Sequence, residues 1–81
     1  MIDTATAADA ILKLLALRAD GLTICPSEAA RSVQPDAWRQ MMPIVHDAAH
    51  ALAAAGKVVL TQGGVVVPPQ SGVGAYRIRK A

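Results

Sequence analysis

Gly63 and Gly64 stand side by side between two runs rich in β-branched residues, KVVLTQ before them and VVV after. Glycine enters the left-handed region of backbone space without steric cost, and a two-residue hairpin turn demands that conformation at its centre. The stretch from Lys57 to Val67 therefore reads as a β-hairpin. Whatever precedes Gly56 has to supply a surface on which that hairpin can rest, because two strands alone do not hold together in water.

That surface is helical. From Asp3 to Ala19 apolar residues recur at helical spacing (Ala7, Ala8, Ile11, Leu12, Leu14, Leu15, Leu17), with Thr6 and Asp9 as the expected capping pair and Asp20-Gly21 as the stop. Leu22 to Ile24 is long enough only for an edge strand. Pro26 suits the first position of a second helix, CPSEAARSV, whose Glu28 is expected to reach back to the unpaired amides of its first turn. Pro35 opens another helical piece. Pro43 then predicts a break, because an internal proline removes a hydrogen bond and crowds the preceding turn. The expectation is a short helix over Pro35 to Met41 and a longer one from Pro43 to Ala55, closed by Gly56. PPQSGVG is a loop, and the alternation in AYRIRK predicts a last strand beside the hairpin.

Helix, short extended piece, helix, helix and hairpin is the order of a winged helix, an α+β fold in which a helix-turn-helix is backed by a small antiparallel sheet. The 81 residues make one domain, with 1–2 and 69–74 expected to be flexible. Trp38 and Tyr76 are the only aromatic residues, so the core has to come from Leu, Ile, Val and Met against closely approaching alanine helices. One cysteine, Cys25, excludes an intrachain disulfide. With neither a signal-peptide pattern nor a membrane-spanning run, the expected location is cytoplasmic and no membrane partner is expected.

Val45, Ala49, Leu52, Gly56 and Val58 are spaced like the end of a recognition helix that passes directly into a wing. TICPSEAAR, WRQMMPIV, LAAAGKVVLTQGG and YRIRK together resemble the bacterial domain-of-unknown-function family 3253, from about residue 11 to residue 80. The resemblance implies a winged-helix fold and carries no biochemical role with it.

VHDAAH places His46 and His50 four residues apart. At about 100° per residue, Val45, Ala49 and Leu52 share one face, and His46, Asp47 and His50 are expected to point away from it into solvent. The pattern differs from the zinc-protease helix HExxH in carrying aspartate where the general base belongs, and there is no third histidine. Neither a metal nor a cofactor is expected. Cys25 and Ser27 lack the setting of a nucleophile, so no catalytic residue, no enzymatic activity and no small-molecule substrate are expected either. Trp38, beside Met41 and Met42, reads as packing over the Pro43 break.

The charge of +2 and pI near 9.1 permit a polyanion partner without demonstrating one. On a winged helix, Ile44, His46, Asp47 and His50 would face the bases, while Arg31, Arg39 and Lys57 would meet phosphates, with Arg77 and Arg79 as further cations. No lysine or arginine lies between Arg39 and Lys57, which weakens base reading. Any duplex binding that used the histidines would strengthen toward about pH 6. Two readings stay open: a module for double-stranded DNA associated with transcription, and a protein-interaction or homodimerisation module packing its alanine-rich helix face on a partner.

Overall fold

The computed structural model describes residues 3–69 and 75–81. Of the residues expected to be flexible, 1–2 and 69–74, all but residue 69 lie outside the described residues. Three helices pack on a four-stranded antiparallel sheet, an α+β arrangement consistent with a winged helix.

Helix α1 spans Thr4–Ala16. Its N-cap is Asp3, whose carboxylate accepts from both the amide and the hydroxyl of Thr6 at 2.8 Å. The cap thus lies one turn earlier than the Thr6 and Asp9 pair read from the sequence. Its charge sits at the positive end of the helix dipole, and the two bonds from Thr6 hold the Asp3 carboxyl below its usual range. The helix also ends before Ala19. The amides of Leu17 and Arg18 bond the Leu14 and Leu15 carbonyls at 3.2 and 3.0 Å, a tightening into i→i+3 geometry that terminates it. Gly21, at φ 87°, shapes the following Ala19 to Leu22 turn into strand β1, Thr23–Ile24.

Helix α2 spans Pro26–Val33 with Pro26 in its first turn. Glu28 does not cap it; its carboxylate accepts from Arg18 at 3.0 Å, a charge-assisted bond stronger than one to a neutral amide. Helix α3 runs without interruption over Trp38–Ala54 with Pro43 inside it, so the expected split does not occur. Only one hydrogen bond, to the carbonyl of exposed Arg39, is forfeited to the proline. The helix carries Met41, Val45, Ala48, Ala49 and Leu52 into the core on one stripe, and that stripe spans both sides of Pro43. Burial of this size outweighs one lost bond.

Gly56 closes α3 at φ 75°, with Gly56 N–H on the Ala53 carbonyl and Lys57 N–H on the Leu52 carbonyl at 3.0 and 2.9 Å. This paired C-cap turns the chain straight into β2, Val58–Gln62. Gly63 and Gly64 both have positive φ, 58° and 82°, as the two-residue turn requires, and β3 follows over Val65–Val67. The last strand, β4 (Arg77–Lys80), inserts between β1 and β2, giving the order β1-β4-β2-β3. Ile78 is registered with Ile24 on one side and Leu60 on the other, and all three are fully buried. The helices lie over this row. Ala29, Ala30, Ala48 and Ala49 are also fully buried; their small side chains let α2 and α3 approach closely, which a chain poor in aromatic residues needs to fill its core.

Candidate functional site

The residues singled out in the sequence fall into three groups, each organised by a different element. At the corner between α2 and α3, the guanidinium carbon of Arg31 lies 4.4 Å and that of Arg39 4.9 Å from the centroid of the Trp38 ring. Trp38 is half-buried and packs against the core, as does Met42, while Met41 belongs to the core itself. The helix that Trp38 opens is continuous where a break was expected, and the π surface of the ring gathers two cations. Both arginines are exposed, and neither takes part in the two ion pairs of the described residues, Arg18 with Glu28 and Lys80 with Asp20.

The second group corrects the sequence reading. His46 and His50 are half-buried, where solvent-facing imidazoles were expected. His46 Nδ1 is 2.6 Å from the Tyr76 hydroxyl, and the His50 ring stacks on Tyr76 at 5.8 Å with a 27° interplanar angle. His50 Nε2 is buried and has no hydrogen-bond partner among the described residues. The error is geometric. At about 100° per residue His46 and His50 lie about 100° and 140° round from Val45, on the flank of the buried stripe. Tyr76, arriving from the start of β4, roofs that flank. A tyrosine hydroxyl that is buried needs a polar partner, and this was the one available signal for the missed residue. Burial, reinforced by neighbouring His50 and partly opposed by Asp47, pushes the His46 pKa below the ordinary histidine value. The shift disfavours the charged imidazole on which the expected strengthening toward pH 6 depends.

The third group lies on β4. Arg77 donates from Nη1 to the Cys25 sulfur at 2.8 Å and from Nη2 to the Thr23 carbonyl at 3.4 Å, and its Nε bonds the Thr23 hydroxyl. It ties the edge strand β1 to the sheet. Arg79 is registered between Thr23 and Val59 in mid-sheet and is half-buried. Lys80 donates to the Arg18 carbonyl and to Asp20, each at 3.1 Å.

Of the remaining candidates, Asp47 is exposed, and Ile44 is half-buried against the core instead of facing outward. Lys57 is exposed beyond the far end of α3. From Arg39 to Ala54 the helix rises about 22 Å, so Lys57 and the arginine pair stand at opposite ends of it. Among the described residues no group of three or more His, Cys, Asp or Glu side chains could hold a metal ion, and no helix is long and apolar enough to cross a membrane.

The sequence pattern of the family described as "Protein of unknown function (DUF3253)" matches residues 4–81. The chain belongs to this family. The match takes in every described element of the DUF3253 domain, from α1 to β4, and so covers the Trp38 corner, the histidine and tyrosine cluster and the Arg77 tie alike. No curated protein matches the chain.

Proposed function

We propose that this DUF3253 domain is a winged-helix module that acts by binding double-stranded DNA, holding the backbone and reading little sequence. The observation that carries the reading is the convergence of Arg31 and Arg39 on Trp38, where two exposed guanidiniums free of carboxylates are ordered at the start of α3. In a helix-turn-helix this corner lies beside backbone phosphates. A guanidinium already held over a ring loses less freedom when it grips phosphate. Between Arg39 and Lys57 the exposed residues of α3 include Gln40, Pro43, Asp47 and Ala51, a face with few groups for base edges. Affinity then comes mainly from phosphate contacts, and sequence discrimination is small. A binding role without catalysis agrees with the engagement of the side chains that could do chemistry: His46 with Tyr76, and Cys25 with Arg77.

Fluorescence anisotropy with a random-sequence duplex, titrated over a range of salt concentrations, tests this. Binding at low salt that weakens steeply and linearly on a log–log plot, with similar affinity for unrelated sequences, is the expected result. No binding at low salt would discard the proposal.

A further inference from the structure

We infer that this chain pairs with a second copy of itself through α1, in an antiparallel contact about a twofold axis. The face of α1 that carries Ala7, Ile11 and Leu15 is buried in the core. A second stripe on the same helix is only partly covered, with Leu14 half-buried against the edge of the core, Ala10 half-buried, and Thr6 and Leu17 exposed. Thr6, Ala10, Leu14 and Leu17 line a groove of about 340 Å³ whose other wall is Ser32 and Val33 of α2. Leu17 is 78% exposed, the highest value among the exposed large hydrophobic residues of the described chain.

Two patterns along this stripe say what fits it. The first is size. Its N-terminal half is small, Thr6 and Ala10, and its C-terminal half is large, Leu14 and Leu17. An antiparallel copy sets Leu17 of one chain at the level of Thr6 of the other, and Leu14 near Ala10, so that large side chains enter gaps left by small ones. A parallel copy would set leucine on leucine and leave the small ends apart.

The second pattern is charge. Asp9 and Lys13 also border the groove and take part in neither of the two ion pairs of the described residues. Their midpoint is residue 11, close to the middle of the stripe from Thr6 to Leu17. The antiparallel register that matches sizes therefore also brings Asp9 of each copy to Lys13 of the other, twice by symmetry. A parallel arrangement would leave Asp9 and Lys13 of the two copies on opposite sides of the contact and so unpaired across it. Antiparallel helix dipoles favour the same choice. Helix α1 is thus complementary to itself in size and charge at one register. This contact uses neither the Trp38 corner nor α3, and it stands or falls independently of DNA binding.

Sedimentation equilibrium of the full chain over a wide concentration range is the test, with circular dichroism confirming that each variant is folded. The wild-type chain should dimerise reversibly. Leu17→Glu, at an exposed residue outside the helix body, should raise the dimer Kd about tenfold or more. Asp9→Lys should weaken the dimer, and the exchange Asp9→Lys with Lys13→Asp should restore it, since the swapped pattern is again self-complementary. A wild-type chain that stays monomeric throughout, a Leu17→Glu dimer as tight as wild type, or an exchange variant no tighter than the single variant would each overturn the inference. Because no DNA is present, failure here leaves the duplex-binding reading intact, and the converse also holds.

Discussion

His46 Nδ1 and the Tyr76 hydroxyl meet at 2.6 Å, joining the middle of α3 to the entry of β4 across 30 positions of the chain. Burial raises the tyrosine pKa to about 12, and it lowers that of His46, with His50 adding to the effect and Asp47 opposing it. Both shifts favour one arrangement, a protonated phenol donating to a neutral imidazole. Since the folded His46 binds its proton less readily than the unfolded one, its contribution to stability is fully present above about pH 6.5. It is lost as the pH falls through the lower folded value. Urea denaturation at a series of pH values should therefore show a midpoint that is flat in this region above about pH 6.5 and declines on acidification. Tyr76→Phe should cost about 1 kcal/mol near neutrality by leaving the Nδ1 acceptor unpaired. It should also flatten the acid decline, because the neutral imidazole is then less favoured.

Pro43 sits in an uninterrupted helix and is exposed. Pro43→Ala restores the amide that can bond the Arg39 carbonyl and removes the ring from the preceding turn. Since the core stripe of α3 is already formed around the proline, nothing else need change. The substitution should stabilise the fold by about 1–3 kcal/mol, read as a rise in the urea midpoint at unchanged slope. A loss of stability would mean that the proline fixes the direction in which α3 leaves the Gln34 to Ala37 turn.

The parts of the fold that sequence discloses are those decided within a few residues. The Gly63-Gly64 turn, the Gly56 stop and Pro26 at the start of α2 each follow from a local backbone requirement. Pro43 misleads for the complementary reason: the local penalty is real, but Met41, Val45 and Ala48 offset it through tertiary burial that no window of sequence contains. The histidines mislead in the same way. Periodicity places them off the centre of the buried stripe without saying that a residue of the last strand covers them. Arg31 and Arg39 can be named from their position around the turn into α3, yet their shared contact with Trp38 depends on how α2 and α3 pack.

Gly56 combines a positive φ of 75° with open space where a Cβ would be built. Any cost of a side chain there is then backbone strain and not collision. Gly56→Ala should destabilise the domain by about 1–2 kcal/mol, and Gly56→Asn by less, because asparagine tolerates the left-handed region better. Equal losses for the two variants in thermal or chemical denaturation would show that the glycine matters for something other than its conformation.

The Trp38 corner allows the duplex-binding proposal to be divided into charge and placement. Arg31→Ala with Arg39→Ala removes two candidate phosphate contacts and should lower the magnitude of the log–log salt slope by about 1.8, at roughly 0.9 per phosphate. Trp38→Leu keeps an apolar side chain against the core but deletes the ring over which both guanidiniums lie. The charges persist, so the salt slope should stay close to wild type, while affinity falls because the arginines must now be ordered on binding. Anisotropy titrations of the three proteins on one duplex distinguish these effects. A double-arginine variant with the wild-type slope would show that the corner touches no phosphate, whereas a Trp38→Leu variant with wild-type affinity would show that the ring contributes only to the core.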